Sequence, residues 1–203
     1  MTNDPETLRE DIAFLRELTQ DDGTSLARDG ANMIIVGAVF GCVTFAYWLF
    51  FAGHAPGLAS AAPWLWAGGV AVMVITSMLV NRRLPRSSGA ASRAVAAAWS
   101  GTGASLIAPC LGLILGGERT GQPQLVLWIF PVIMFTLYGA AWTVAWAVKR
   151  RAWLFLVGAG CFATALAEGA LVSSPHQWLV LAAGLALWVA LPGAVILRQA
   201  RPR

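Results

Sequence analysis

The stretch "MIIVGAVFGCVTFAYWLFFA", Met33 to Ala52, runs for twenty residues without a charged side chain. An α-helix rises about 1.5 Å per residue, so this stretch is about 30 Å long as a helix, which matches the hydrocarbon core of a bilayer. The pattern therefore predicts a membrane-spanning helix near Gly30 to Ala52.

Five further windows of the chain are apolar enough to span a bilayer. They are predicted near Pro63 to Val80, Val95 to Leu115, Leu125 to Val148, Ala152 to Val172 and Trp178 to Leu197. The whole chain of 203 residues is 58% hydrophobic and only 12% charged, which is unusual for a soluble domain. We therefore predict an all-α integral membrane protein, with a six-helix bundle of three helical hairpins in residues 30–203.

The basic residues predict the orientation of this bundle, because short cytoplasmic loops collect Lys and Arg. They lie between the second and third windows, between the fourth and fifth, and at the C-terminus: Arg82, Arg83, Arg86, Arg93, Lys149, Arg150, Arg151, Arg198, Arg201 and Arg203. The loops at the opposite ends of the helices contain one Lys or Arg residue, Arg119. Both termini are thus predicted to be cytoplasmic. The compact chain is typical of a bacterial inner-membrane protein. The net charge of +4 is explained by topology and anionic lipid, so no nucleic-acid partner is predicted.

Residues 1–29 differ from the rest of the chain, since they contain eight acidic residues and three Arg. This charge is opposite to that of a cleavable secretory signal. The stretch "NDPETLREDIAFLRELTQDDG", Asn3 to Gly23, predicts an amphipathic helix over about 5–22, with Gly23 placed to end it. Its apolar side chains are those proposed to dock a partner: Leu8, Ile12, Leu15 and Leu18.

An acidic amphipathic helix is repelled by the anionic cytoplasmic leaflet. Three alternatives follow for this segment. It packs against the protein's own basic loops or a second copy of the chain, it binds a separate cytoplasmic protein, or it is a loosely ordered tail.

The residues that usually carry enzyme or metal chemistry are sparse. His54 and His176 lie outside the apolar windows, Lys149 is the sole lysine, and neither an HExxH nor a GxxxxGK motif occurs. The three cysteines, Cys42, Cys110 and Cys161, fall in the first, third and fifth windows without a CxxC pair. No catalytic residue, metal site or cofactor is predicted, and an enzyme is the least favoured class.

Glycine and proline positions predict how the helices pack. Gly37 and Gly41 form a small-xxx-small surface, which favours close helix approach within the monomer or across a dimer. Pro109, Pro131 and Pro192 lie inside windows and are predicted to kink their helices. These kinks are explained equally well by a rigid, shaped bundle and by a cavity or gate.

Glu168, within "CFATALAEGALV" (Cys161 to Val172), is the one acidic residue inside the apolar windows. It lies about 24 Å along the fifth helix from Ala152. Its face also carries Thr164, whereas Phe162 and Leu166 lie on the other side, so the carboxyl is predicted to face the bundle interior. A charge at this depth needs compensation.

Several residues are candidates to meet Glu168 or to act with it in proton coupling: Thr164, Tyr47, Tyr138, Thr136, His176, His54, Arg119 and Trp128. A nearby cation would leave the carboxylate ionised as a structural lock. Without one, burial disfavours the charged form and proton- or cation-coupled transport becomes an alternative. In the third interpretation, the Glu168 side chain merely extends to the membrane–water interface.

The favoured function is a transporter or ligand-binding membrane subunit with an outer-leaflet cavity near Glu168. That cavity is predicted to be lined by Tyr47, Trp128, Pro131, Thr164 and Pro109. The alternative is a membrane regulator or scaffold whose N-terminal helix binds a cytoplasmic partner or a second copy.

Overall fold

The structure is a computed structural model that describes residues 23–84 and 90–200. Within those ranges every regular element is a helix, and the structure confirms the prediction of six helices long and apolar enough to cross a membrane. The helices are α1 (Gly23–Phe51), α2 (Ala62–Arg83), α3 (Ala90–Thr120), α4 (Leu125–Lys149), α5 (Ala152–Ala170) and α6 (His176–Leu185), which continues through a π segment (Ala186–Ala190) into α7 (Leu191–Gln199). Helices suit a bilayer because they satisfy their backbone polar groups internally.

Two of these elements begin or end differently from the sequence prediction. Gly23, expected to terminate a preceding helix, is itself helical, and residues 23–29 are continuous with α1. Helix α3 is longer than the window 95–115, because small and polar residues extend it at both ends. The proposed N-terminal helix, with Leu8, Ile12, Leu15 and Leu18, lies outside the described residues, as does Arg86.

The core lies among α1, α4, α5 and the α6–π–α7 segment. Its most deeply buried side chains include Phe135 and Trp142 of α4 and Cys161 of α5. Helix α2 packs mainly against α1, and α3 mainly against α4, so these two helices flank the core. No residue in the apolar window of α3 is buried by protein, against 44% of the window in α5. The apolar side chains that α2 and α3 expose therefore contact lipid in a bilayer.

Small residues bring α1 against the last helical segment. A Cβ atom built on Gly37 would lie 2.5 Å from the Ala190 amide nitrogen, and one on Gly30 would lie 2.7 Å from the Gly193 carbonyl oxygen. The Gly41 position is less crowded, with its nearest atom, the Ala182 carbonyl oxygen, at 3.8 Å. This glycine surface is thus used inside the monomer, where backbone approaches backbone directly.

The prolines singled out by the sequence all lie in helices. Pro109 and Pro131 are inside α3 and α4, and Pro192 is in the first turn of α7. Proline has no amide hydrogen to donate to the preceding turn. In the last helix the π segment Ala186–Ala190 directly precedes Pro192, so the α-helical ladder is interrupted at that point.

Alternate helix ends meet at one end of the bundle, which we call the basic end. Three hydrogen bonds mark it: Arg28 Nε donates to Asn81 Oδ1 at 2.7 Å, Lys149 Nζ to Ser92 Oγ at 3.5 Å, and Arg151 Nη1 to Gln199 Oε1 at 2.6 Å. The cationic residues of the described ranges at this end are Arg28, Arg82, Arg83, Arg93, Lys149, Arg150, Arg151 and Arg198. The other end, the far end, carries Arg119, Glu118, His54 and His176.

Candidate functional site

Glu168 is enclosed by the protein itself. Its side chain is 0% exposed, and the described part of the structure offers neither carboxylate oxygen a hydrogen-bond partner. On the same face of α5, Thr164 and Cys161 are buried, whereas Leu166 is 77% and Phe162 40% exposed. The predicted orientation of α5 is therefore confirmed, and the carboxyl does not reach the surface.

The side chains proposed as partners of Glu168 are engaged elsewhere or exposed. The Tyr47 hydroxyl donates to the Ala62 carbonyl at 2.7 Å, and the Thr164 hydroxyl donates to the Gly160 carbonyl at 2.9 Å. The remaining candidates are distributed as follows: His54, His176, Arg119 and Thr136 are exposed, and Tyr138 lines a cavity at the basic end. The structure thus does not pair Glu168 with a cation among the described residues.

Gln177 is a residue near Glu168 that the sequence analysis missed. It is 2% exposed and lies beside the carboxyl, while its Nε2 donates to the Trp128 carbonyl oxygen at 2.7 Å. Trp128 therefore joins this region through its backbone. Gln177 was assigned to a loop, and only its place in the first turn of α6, directly before the apolar run, hinted at burial.

Trp188 is the second missed residue. It lies in the π segment, its Nε1 donates to Thr164 Oγ1 at 2.8 Å, and its ring packs over Gly160, where an added Cβ would lie 2.5 Å from it. The interrupted helix thus aims an indole at α5. A sequence alone does not show where a π segment turns a side chain.

A cavity lies at the basic end. Its volume is about 730 Å³, which is within the usual range for ligand pockets. It is lined by side chains from α1 to α5 and from the π–α7 segment: Arg28, Asp29, Asn32, Met33, Val36, Asn81, Arg93, Val95, Ala96, Trp99, Ser100, Tyr138, Trp142, Ala145, Lys149, Arg151, Trp153, Leu154, Val189, Ile196 and Gln199.

This cavity is separate from Glu168. Leu154 lines it and Glu168 lies fourteen residues further along α5, which corresponds to about 21 Å. The sequence predicts a cavity beside Glu168 because this carboxyl lies within an apolar run. Of the candidate residues that the sequence indicates, Tyr138 lines the basic-end cavity, whereas Tyr47, Trp128, Pro131, Thr164 and Pro109 do not.

Aromatic rings form the inner wall of the cavity. The rings of Trp99 and Trp142 meet edge to face with centroids 5.1 Å apart, and Tyr138 and Trp153 extend this wall at 5.5 Å from Trp99 and 6.3 Å from Trp142. The Nε1 atoms of Trp99 and Trp142 are buried and have no hydrogen-bond partner among the described residues. The wall thus offers apolar ring surface, while the two nitrogen atoms are covered by protein.

The mouth of the cavity is polar and positively charged. Four cationic side chains and one acidic side chain, Asp29, line it, which gives a formal charge of +3. Asn81 Oδ1 accepts hydrogen bonds from both Arg28 Nε and Asn32 Nδ2, and this links α1 to α2. The Asn32 Oδ1 atom is buried without a partner in the described part of the chain.

Among residues 23–84 and 90–200, no three His, Cys, Asp or Glu side chains come close enough to hold a metal ion. The cysteines are apart, with Cys42 exposed, Cys110 half-buried and Cys161 buried.

Comparison with known protein families, curated proteins and solved structures gave no match.

Proposed function

We propose that this protein is a transporter or ligand-binding membrane subunit, and that its ligand occupies the basic-end cavity. The observation that carries the proposal is an aromatic-walled space of about 730 Å³ lined also by four cationic side chains. A pocket of this size, with an apolar wall and a few convergent polar and charged groups, is typical of a small-molecule site. Membrane topology alone explains a cluster of cationic residues at one end of a helix bundle. It does not explain why these residues line the same cavity as the aromatic rings.

The charge distribution supports a cytoplasmic position for the basic end. Eight cationic residues of the described ranges lie at that end and one at the far end, and this asymmetry is typical of cytoplasmic loops. The ligand then enters from the cytoplasm or from the inner leaflet. An inner membrane of a bacterium suits this proposal.

Glu168 is the candidate for proton coupling in such a transporter. A fully buried carboxylate without a partner would cost several kcal/mol if it were ionised, so the neutral acid suits the described conformation. Ionisation requires a second conformation that brings water or a cation to it. Pro131 and the π segment are interruptions in the two neighbouring helices through which such a change would act.

A second candidate function, regulation through the N-terminus, is favoured by charge. Residues 1–22 contain seven acidic residues and two Arg, and they precede α1, whose Arg28 lines the cavity mouth. A tether keeps this segment at a high effective concentration near the positive mouth. Removal of residues 1–22 separates the two functions, because a regulator loses its partner whereas a ligand-binding core retains its ligand.

Native mass spectrometry of the full chain, released from mild detergent after purification, tests the proposed function. Wild type is expected to retain a non-covalent adduct of small-molecule mass. Ala96→Phe fills the cavity and is expected to lose this adduct. Ala97→Phe is the matched control, since Ala97 is exposed and does not line the cavity. Retention of the adduct in Ala96→Phe would contradict the proposal.

A further inference from the structure

We propose that the basic-end cavity binds an anionic amphiphile, with a phosphate group at the cationic mouth and an apolar chain along the tryptophan wall. This inference rests on the proposed function and names the chemical class of its ligand. It is derived from the charge of the mouth, the polarity of the wall and the direction of the cavity within the membrane.

Two arginines at the mouth have neutral partners. Arg28 Nε donates to the amide oxygen of Asn81, and Arg151 Nη1 donates to the amide oxygen of Gln199. These contacts orient each guanidinium, and both acceptors are neutral amide oxygens. An oriented guanidinium binds a phosphate through paired hydrogen bonds, which are stronger than bonds between neutral groups. The mouth therefore favours an anion with several acceptor oxygens.

Behind the mouth, the cavity becomes apolar. Its wall is formed by the rings of Trp99 and Trp142 together with aliphatic side chains such as Val189 and Ile196. Inorganic phosphate would leave this wall unfilled, and a pure hydrocarbon would leave the cationic mouth without an anion. A ligand with an anionic group and an apolar chain satisfies both regions.

The cavity also runs in the direction expected for such a ligand. It extends along α4 from Lys149 to Tyr138, eleven residues or about 16 Å. This distance is roughly half the hydrocarbon thickness of a bilayer. A ligand in this orientation has its charge at the membrane surface and its chain toward the middle, as a lipid in one leaflet does.

The ligand source is either the membrane or the aqueous phase, and both use the same chemistry. A phospholipid presents a phosphate and acyl chains from the leaflet, whereas a soluble phosphate monoester enters from the basic end. Cationic amphiphiles are disfavoured by the formal charge of +3 at the mouth. The tethered acidic residues 1–22 are a competing occupant, and their removal is an arm of the test.

The test uses the full chain in nanodiscs of phosphatidylcholine, titrated with dodecyl phosphate while the thermal unfolding midpoint is followed. We expect a saturable rise in the midpoint, because a ligand that binds only the folded state stabilises it. Dodecyltrimethylammonium has the same chain with a positive charge, so it tests whether the chain is sufficient for binding. Inorganic phosphate tests whether the anion is sufficient without a chain. An equal rise with the cationic probe, or no rise with dodecyl phosphate, would overturn the inference.

Two matched pairs of variants locate the site. Arg151→Gln is expected to weaken dodecyl phosphate binding about tenfold, which corresponds to one charge-assisted hydrogen bond. Arg150→Gln removes the same charge from the preceding residue, whose side chain is exposed and lies outside the cavity, and it is expected to leave binding unchanged. Equal weakening by both would show a diffuse charge effect and refute the site.

The second pair tests the tryptophan wall. Trp142→Phe removes ring surface from the cavity wall and is expected to weaken binding severalfold, and it is also expected to lower the unfolding midpoint of the ligand-free protein because it opens space in the core. Trp66→Phe is the control, since its Nε1 is also buried and unpartnered but does not line the cavity. Loss of stability in Trp142→Phe with unchanged binding would refute a role in recognition.

Two further arms complete the design. Phosphatidylglycerol in the nanodisc is expected to reduce the rise in midpoint caused by dodecyl phosphate if lipid is the natural source, and to leave this rise intact if the source is soluble. Either result supports the shared chemistry.

If dodecyl phosphate binds only after removal of residues 1–22, the acidic segment is the occupant of the intact protein and the inference is overturned. If dodecyl phosphate fails while Ala96→Phe still abolishes the native adduct, the proposed function stands and the ligand class is wrong.

Discussion

Gly37→Ala probes the closest backbone contact of α1 with the last helical segment. The new Cβ would lie 2.5 Å from the Ala190 nitrogen, 2.9 Å from its Cα and 2.8 Å from its Cβ, whereas ordinary contact begins at 3.4 Å. The two segments would have to separate by about 1 Å, and overpacking of this kind costs about 1–3 kcal/mol. The obstructing atoms belong mainly to backbone, so a rotamer change does not relieve them.

Gly41→Ala is the control for this substitution. It lies one helical turn later on the same surface, and its Cβ would meet its nearest atom at 3.8 Å. Both variants gain the same helix propensity, up to about 1 kcal/mol, so this contribution cancels in their comparison. We expect Gly37→Ala to be less stable than Gly41→Ala by about 1–3 kcal/mol.

Thermal unfolding in mild detergent measures this difference. For a chain of this size it corresponds to a midpoint roughly 2–12 °C lower in Gly37→Ala. Since the neighbouring Val36 and Val189 line the cavity, we also expect Gly37→Ala to weaken dodecyl phosphate binding. Equal midpoints for the two alanine variants would refute the close approach and the cavity geometry that depends on it.

Three further predictions concern the buried polar groups and the N-terminus. Glu168→Met removes a fully buried carboxyl that has the neutral Gln177 amide beside it, so its unfolding midpoint should be unchanged or higher; a clear decrease would show that Gln177 donates a structural hydrogen bond to Glu168. Thr164→Val leaves Trp188 Nε1 without its acceptor and should lower stability by about 1–3 kcal/mol in the same assay, and an unchanged midpoint would argue against that bond. Removal of residues 1–22 should strengthen dodecyl phosphate binding measured in nanodiscs, because an acidic tether competes for the mouth; weaker binding would contradict this competition.

The helical architecture was predictable because a bilayer imposes simple rules. Six apolar windows in the sequence correspond to six helices in the structure. The buried face of α5 was also predictable, since small residues alternate with Phe162 and Leu166 at helical spacing. These features depend on a single segment and its solvent, and neither requires knowledge of how separate helices are arranged.

The cavity was not predictable from the same reasoning. Its lining runs from Arg28 to Gln199 and belongs to helices that meet only in the folded bundle. Trp99 and Trp153 have the sequence positions of interfacial aromatic residues, and nothing in the local pattern separates a ring that faces lipid from one that lines a cavity. The sequence shows Glu168 as an acidic residue within an apolar run. It does not show which side chains lie near that carboxyl, because they belong to other helices.

Photo-crosslinking tests whether a ligand occupies the basic-end cavity. A dodecyl phosphate analogue with a diazirine in the middle of its chain is bound to the full chain in phosphatidylcholine nanodiscs, activated by light and mapped by peptide mass spectrometry. We expect modification at Trp99 and Trp142, and loss of that modification in Ala96→Phe. Labelling confined to the lipid-facing side chains of α2 and α3, such as Ile75 and Ile107, would contradict this expectation.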